Sequence, residues 1–251
     1  MSPTAAALRV PALPSWSVAW DELHREFPWI DAMRGVPQDP VFHAEGDVFV
    51  HTRMVCEAMA ALPAFRQGDP ALRLRLHAAA LLHDVAKPRC TVVEDDGRVR
   101  SPGHSPGGAF DARKILWHLG VPRAEREQVC ALVRFHQVPY HWSKRSDSRS
   151  LVIRMSHTAS LRELGWLAEA DLRGRVCPDQ QERIDDVTLF CDYAEELRCL
   201  ASPWEFANDH ARVEFFRRTY LTEGLTDLVG RAVRRLSGDD NAPPVINLQT
   251  N

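Results

Sequence analysis

The sequence lacks the features that mark membrane and secreted proteins. It contains no run of about 18 apolar residues, so it predicts no membrane-spanning helix. Its N-terminus has neither a basic start nor an uninterrupted apolar stretch, and therefore does not resemble a secretory signal peptide. The six cysteines form no CxxC pair, and several fall within predicted helices, which favours free thiols over a disulfide framework. We predict a cytoplasmic protein.

An excess of charge of one sign is also missing. The net charge is −3, so the chain has no overall positive field that would by itself indicate nucleic-acid binding. Hydrophobic residues make up 45% of the sequence and charged residues 26%, as in ordinary globular proteins. A chain of 251 residues with this composition can bury a substantial core.

Apolar residues recur at helical spacing along most of the chain, and only one segment has the pattern of β structure. That segment has two short β-type runs around Asp95-Asp96-Gly97, which is a hairpin signal. One helix is predicted over residues 71–86, ended by Pro88. We therefore predict an all-α fold with one small β-hairpin. The predicted limits are a loose N-terminal leader at 1–20, a core at 21–178, a C-terminal helical extension packed on the core at 179–236, and a disordered tail at 237–251.

Several histidines and aspartates occupy positions at apolar helix faces where a leucine would pack better. One such residue is weak evidence, because His51 taken alone is well explained as a buried histidine bonded to a backbone carbonyl. An aspartate, by contrast, is rarely buried without a partner. The residues that share this property are spread over five predicted helices and are His51, His83, Asp84, His104, His136 and Asp171. This distribution predicts one shared site.

Imidazoles and carboxylates without a thiolate suit Mn, Fe, Co, Ni or Mg better than a structural zinc. Six protein ligands are more than one catalytic ion needs while it keeps open positions. Two ions are therefore expected, with Asp84 able to bridge them. The predicted cofactors are two divalent cations, Mn, Co, Ni or Fe, with Mg also compatible.

The order His…His-Asp…Asp, with HDVAK at its centre, resembles the HD superfamily of metal-dependent phosphohydrolases. The histidines in GHSPGGA and RFHQV, His104 and His136, resemble the additional ligands of its two-metal members. This resemblance implies an enzyme with an HD-domain helical bundle. The predicted ligands of one ion are His51, His83, Asp84 and Asp171. Those of the other ion are Asp84, His104 and His136.

Two more specific resemblances follow from longer stretches. HAEGDV and EADLRGR resemble the HD region of bacterial tRNA nucleotidyltransferases. A closer similarity, over about residues 30–210, is to the HD module fused to a polynucleotide kinase in bacterial end-healing enzymes, with GRVRSPGH and ILWHLGVP among the shared stretches. The chain has no GxxxxGK[ST] phosphate loop, so we expect no kinase within it, and a kinase or ligase partner would be a separate polypeptide.

The HDxxK pattern of the family implies that Lys87 acts beside the catalytic His83 and Asp84 by contacting phosphate. The alternative for Lys87 is a cap at a helix C-terminus. Arg173 and Arg175 flank Asp171 and are predicted to bind a phosphate or a ribose, or else to form solvated ion pairs.

The substrate class implied by the resemblance is a 2′,3′-cyclic phosphate, or a 2′ or 3′ phosphomonoester, on an RNA 3′ end or a nucleotide. Two alternatives stay open. One is a small-molecule nucleotidase or cyclic-nucleotide phosphodiesterase, and the other is a non-catalytic HD module that binds RNA or a partner protein.

Overall fold

A computed structural model of the chain describes residues 6–219. These residues are mainly helical and contain one two-stranded sheet, which confirms the predicted all-α class with a small hairpin. The chain divides into two compact units, Met1–Trp204 and Glu205–Asn251. In the second unit, residues 209–219 are helical. None of the described helices is long and apolar enough to cross a membrane.

The elements of the first unit follow one another along the chain with short connections. They are α1 (Trp20–Glu26), α2 (Pro28–Asp31), α3 (Val48–Ala61), α4 (Pro63–Gln67), α5 (Pro70–Leu82), α6 (Lys87–Cys90), β1 (Val92–Val93), β2 (Val99–Arg100), α7 (His104–His118), α8 (Arg123–Phe135), α9 (Ser148–Ser156), α10 (Leu161–Arg173) and α11 (Gln180–Glu196). Two short 3₁₀ turns, Val138–Tyr140 and Trp142–Lys144, connect α8 to α9. The strands β1 and β2 pair antiparallel.

Polar side chains set the start of the three helices that carry much of the core. The Asp47 carboxylate accepts from the Val50 backbone N–H at 2.9 Å and so caps α3. Asp69 caps α5 in the same way, and Pro70 then occupies the first turn, where its missing N–H costs nothing. Ser160 caps α10. The caps fix where each helix begins, and with it which side chains reach the interior.

The core is formed where α3, α5, α8 and α10 contact one another, with α7 packed on α8 and α11 packed on α10. Its fully buried side chains include Met59, Leu76, Leu132 and Leu164, one from each of the four central helices. The apolar face of each helix is thus covered by another helix, and each central helix ends close to the interior.

The segment around Pro88 differs from its prediction. The helix expected over residues 71–86 ends at Leu82, residues 83–86 form a turn, and a new short helix, α6, begins at Lys87. Pro88 lies in the first turn of α6, a position that tolerates proline, and so it does not end the preceding helix. His83 and Asp84 lie in this turn, and both are buried.

The limits of the leader, the core and the extension remain predictions, and several contacts are relevant to them. Leu8 and Val10 are buried, and the Leu8 carbonyl accepts a hydrogen bond from His77 Nε2 on α5 at 3.0 Å. Helix α11 packs on α10 within the first unit. The predicted disordered tail at 237–251 lies outside the described residues.

Candidate metal centre

Six buried side chains with metal-binding atoms converge where the ends of the helices meet. All six come from positions within about one turn of a helix terminus, which places a polar group at the edge of an apolar core. They are His51 in the first turn of α3, His83 and Asp84 directly after α5, His104 as the first residue of α7, His136 directly after α8, and Asp171 in the last turn of α10. None of the six is more than 6% exposed.

The first cluster consists of His51, His83 and Asp171, whose ligand atoms all lie within 4.8 Å of one another. The two Nε2 atoms of His51 and His83 are 3.3 Å apart. The Nε2 of His51 is 3.1 Å from Asp171 Oδ1. Two imidazoles and one carboxylate therefore point at the same small volume.

The second cluster consists of Asp84, His104 and His136. The Nε2 atoms of the two histidines are 3.4 Å apart. Asp84 Oδ1 lies 3.4 Å from His104 Nε2 and 3.8 Å from His136 Nε2. The other oxygen of Asp84, Oδ2, faces the first cluster at 3.2 Å from His83 Nε2. Asp84 thus presents one oxygen to each cluster.

Backbone carbonyls fix the tautomer of these histidines. Nδ1 of His83 lies 2.8 Å from the Ala80 carbonyl, and Nδ1 of His136 lies 2.7 Å from the Val133 carbonyl. His104 and His51 bond carbonyls through Nδ1 in the same way. Because a carbonyl can only accept, each Nδ1 carries a proton, and in the neutral ring the lone pair lies on Nε2.

The neutral rings of His104 and His136 therefore face each other through two acceptor atoms beside Asp84 Oδ1, which is unfavourable unless a cation lies between them. Asp84 Oδ1 illustrates this, because it is buried and accepts no hydrogen bond from any residue that the structure describes. A buried carboxylate oxygen without a donor, next to imidazole lone pairs, is the environment of a divalent metal ion. The residues present fit two such ions.

The pKa values of the ligands agree with this chemistry. Burial lowers the pKa of His136 to about 3 and also lowers the pKa of His104, so both rings are neutral and able to bind a metal. Burial raises the pKa of Asp84, but Lys87 and His83 outweigh it and hold that pKa well below its ordinary value. Burial also lowers the pKa of His51, but hydrogen bonds with Asp171 and Glu45 outweigh burial and raise it. Positive charge is thus stabilised between the carboxylates.

Asp171 is held by two groups besides His51. Arg175 donates to both of its oxygens, at 2.9 Å to Oδ1 and 2.8 Å to Oδ2. The Tyr140 hydroxyl donates to Oδ2 at 2.7 Å. These bonds keep the carboxylate ionised and its orientation fixed, since burial raises the pKa of Asp171 while Arg175 and His51 bring it well below its ordinary value.

The remaining predicted site residues fall in two different places. Lys87 Nζ lies 2.8 Å from Asp84 Oδ2 and donates to Gln38 Oε1 at 2.7 Å, so it joins the metal centre. Arg173 instead forms a half-exposed ion pair with Glu169 at 2.8 Å, one helical turn earlier. The structure therefore brings Lys87 to the ligands and does not bring Arg173 to them.

A cavity of about 370 Å³ lies beside the centre. Its lining includes two groups of the metal centre, Lys87 and His104, together with Arg175. Gln38, Phe42, His43, Gln137, Tyr140 and Arg183 add hydrogen-bonding, aromatic and cationic surface. The size and mixed lining suit a small phosphorylated ligand.

Three side chains that support the site were missed by sequence reasoning, namely Gln38, Glu45 and Tyr140. Glu45 Oε1 lies 3.0 Å from His51 Nδ1 and its side chain is 1% exposed. All three lie in loops or a 3₁₀ turn, where no helical period marks a buried face. The available signal for Glu45 was the stretch HAEGDV, in which it lies shortly before the start of α3.

Ser105 is a candidate serine nucleophile, but the structure argues against this role. Residues 103–107 read GHSPG, which matches GxSxG, and the Ser105 hydroxyl is 3.3 Å from His104 Nε2. A nucleophile elbow needs a strand before the serine, so that a sharp turn presents the hydroxyl. Ser105 instead lies within the first turn of α7, after a hairpin with two-residue strands.

The fold and the centre together define a helical metal-binding domain with paired ligand clusters. Residues 48–173 match the model of the HD domain, which covers half of the chain. The chain therefore belongs to the HD domain family, the family of metal-dependent phosphohydrolases that the sequence predicted. The matched span runs from the start of α3 to the end of α10 and contains all six converging residues.

Curated relatives agree with the predicted relation to tRNA nucleotidyltransferases. The chain is 39% identical over 114 residues to the multifunctional CCA protein of Halorhodospira halophila, a match that covers 45% of this chain and 25% of the relative. It is 33% identical over 173 residues to the multifunctional CCA protein of Ralstonia nicotianae, covering 66% of this chain and 38% of the relative. The chain thus spans about a quarter to two fifths of the length of these relatives. The similarity to polynucleotide-kinase fusions stays a prediction.

Proposed function

We propose that this protein is a two-metal phosphohydrolase that acts on 2′,3′-cyclic phosphates and on 2′ or 3′ phosphomonoesters, on RNA 3′ ends or on nucleotides. The observation that carries the proposal is the pair of ligand clusters joined by Asp84, whose two oxygens face different histidines at 3.2 Å and 3.4 Å. Membership of the HD domain family supports hydrolysis of a phosphate ester as the reaction.

Each cluster would hold one of the two cations. His51, His83 and Asp171 would hold one ion, and His104 and His136 the other, with Asp84 shared. Divalent cations there would polarise a phosphate and make an attacking water more acidic. The nitrogen and carboxylate donors suit Mn, Co, Ni or Fe, and Mg is compatible with them.

Lys87 is the proposed phosphate-binding cation. An ammonium group has three N–H donors, and Asp84 and Gln38 are within bonding distance of two of them, at 2.8 Å and 2.7 Å. The third donor remains for a phosphate oxygen in the cavity that Lys87 lines. Its ion pair with Asp84 fixes the ammonium group next to the place where both clusters meet.

Arg175 and Arg173 have different proposed roles. Arg175 lines the cavity, but its guanidinium is bonded to both oxygens of Asp171, so its main contribution is to orient that ligand. Arg173 lies in an ion pair with Glu169 and would reach an RNA only beyond the cavity.

The choice of RNA ends rests on resemblance. Both of the specific resemblances are to enzymes of RNA ends, and the curated relatives named above are multifunctional CCA proteins. A polynucleotide kinase or ligase would then act beside this protein as a separate polypeptide. The net charge of −3 is compatible with a substrate held at its terminal phosphate rather than along a basic surface.

A second candidate function has one observation in its favour. The cavity of about 370 Å³ lies at the lower end of the range for small-molecule sites and suits one nucleotide better than an oligomer. A nucleotidase or a cyclic-nucleotide phosphodiesterase would need no substrate-binding surface beyond this cavity. A non-catalytic HD module that binds RNA or a protein is the third candidate, and the complete set of ligands argues against it.

Ester hydrolysis tests the proposal, followed for the cyclic phosphate by chromatography of the AMP that ring opening forms, and for the monoesters by release of phosphate. The purified chain would be incubated with Mn²⁺, Co²⁺ or Ni²⁺ and with 2′,3′-cyclic AMP, 2′-AMP, 3′-AMP or 5′-AMP. We expect turnover of the first three to exceed that of 5′-AMP. Asp84→Asn should reduce turnover to the rate without enzyme, whereas Asp95→Asn, the same change at an exposed turn residue, should leave it unchanged.

Other outcomes of this experiment would favour the other candidate functions. Preference for 5′-AMP would replace the proposal with a nucleotidase. Absence of turnover with every metal and ester, together with retention of RNA in a filter-binding assay, would replace it with a binding module. Retained turnover in Asp84→Asn would show that the described centre is not the active site.

A further inference from the structure

Beside the metal centre lies a third group of potential ligands, formed by His43, Glu45 and His51. The Nδ1 atoms of both histidines approach the same oxygen, Glu45 Oε1, at 2.8 Å from His43 and 3.0 Å from His51. The second oxygen, Oε2, accepts from the Val176 backbone N–H at 2.8 Å. The Glu45 carboxylate is therefore buried among three donors.

This group is a hydrogen-bonded cluster and not a third metal site. Nδ1 of His51 is also 3.2 Å from the Gly174 carbonyl, which can only accept. Nδ1 must therefore carry the proton, and a protonated nitrogen has no lone pair for a metal. The lone pair of His51 lies on Nε2, in the first cluster.

We infer that Glu45 is a positioning residue, which orients His51 for metal binding from the side opposite the ion. This inference rests on the proposed two-metal centre. A carboxylate that accepts from the far nitrogen of a ligating histidine fixes its tautomer and increases its basicity. Glu45 Oε1 lies 3.0 Å from His51 Nδ1 and shares that N–H with the Gly174 carbonyl. The other described histidines of the centre use backbone carbonyls alone, as His83 does with Ala80 at 2.8 Å.

The Glu45 carboxylate also positions His43 in the wall of the cavity. His43 lines the cavity, and because Glu45 holds its Nδ1, its Nε2 is the ring atom left to a substrate. The rings of His43 and His51 are in edge contact, with centroids 4.8 Å apart. The bond from Glu45 to Val176 ties this loop to the segment that follows Arg175, and Ala44 N donates to the Val176 carbonyl at 2.9 Å. One side chain thus joins a metal ligand to two walls of the cavity.

An isosteric amide does not replace this carboxylate. Both oxygens of Glu45 accept, so a glutamine would place its NH₂ group against either the two histidine donors or the Val176 N–H. A donor facing a donor in a buried place loses at least one of the bonds. Glu45→Gln is therefore a minimal change that disrupts the hydrogen bonds accepted by Glu45 without creating a cavity.

Co²⁺ titration of the full chain tests the inference, followed by visible absorption and by competition with a chelator. The wild type should bind two ions. In Glu45→Gln one of the two sites should weaken by about 10- to 100-fold and change its absorption band, while the other keeps the wild-type affinity. Glu163→Gln makes the same change at a buried carboxylate paired with Arg75 and should leave both sites unaltered.

The outcomes separate this inference from the proposed function. Two sites of wild-type affinity and absorption in Glu45→Gln, or three bound ions in the wild type, would overturn the role of Glu45 and leave hydrolysis untouched. Two bound ions without hydrolysis of the cyclic phosphate or of the phosphomonoesters would end the proposed hydrolysis and leave the role of Glu45 intact. If Glu45→Gln melts below the assay temperature, Glu45→Asp keeps the charge but ends one methylene short, and the same selective weakening is expected.

Discussion

Divalent cations should stabilise this protein strongly against thermal unfolding. The six ligands come from residues 51 to 171, so the unfolded chain has no preformed site and the ions bind only the folded state. At a free metal concentration 100 times the dissociation constant, one site adds about 2.7 kcal/mol to the free energy of unfolding. For a domain of this size that corresponds to about 5–11 °C in Tm per site.

The assay is thermal unfolding followed by circular dichroism, first with a chelator and then with increasing Mn²⁺ or Co²⁺. Asp84→Asn removes the charge shared by both clusters, and its Tm should rise by less than half as much as that of the wild type. Asp95→Asn, in the exposed hairpin turn, should show the full rise. The reasoning is refuted if the wild-type Tm does not respond to millimolar metal, or if Asp84→Asn responds equally.

Three further predictions concern the metal-free protein. Burial lowers the pKa of His77 to about 4, so between pH 6.5 and 4 the unfolded chain binds a proton that the folded one does not, and stability falls as the pH falls. His77→Leu should lessen this slope by up to about 1.4 kcal/mol per pH unit in urea unfolding, and an unchanged slope would contradict it. Tyr140→Phe removes the 2.7 Å bond to Asp171 and should cost about 1.5–3 kcal/mol in the same assay, with no loss counting against the bond. Gly174→Ala would place a Cβ 2.7 Å from the Val55 backbone nitrogen and should cost about 1–3 kcal/mol, whereas wild-type stability would show that the backbone yields.

The convergence of these side chains could be predicted because most of them violate helical patterning in a recognisable way. His51 interrupts an apolar face, and His83 and His136 end one, so a stripe that should hold leucine carries a donor atom instead. The structure brings these residues within 4.8 Å of their cluster partners. Helix periodicity therefore identifies not only a buried face but also the polar residues that do not belong on it.

The groups that support the ligands could not be predicted in the same way. Tyr140 lies in a 3₁₀ turn, and it is tertiary packing that brings its hydroxyl to Asp171, 31 residues away. Glu45 lies in a loop, where a carboxylate is normally solvated and gives no signal of burial. Arg173 and Arg175 look equivalent in sequence, but only the latter, four residues after Asp171, reaches that carboxylate, while the former pairs with Glu169.

The helix boundary near Pro88 shows a second limit of patterning. The apolar stripe continues into residues 83–86, but the helix ends at Leu82 and the following turn rotates His83 and Asp84 inward. A periodic pattern does not distinguish the last helical turn from a turn that buries its side chains for another reason. Here both side chains face the two ligand clusters.

The most direct measurement is a crystal structure of the protein soaked in Mn²⁺, with an anomalous difference map at the manganese edge. We predict two peaks, one among His51, His83 and Asp171 and the other between His104 and His136, with an oxygen of Asp84 next to each. A map with no peak at these side chains, or with its strongest peak between His43 and Glu45, would contradict the two-metal centre.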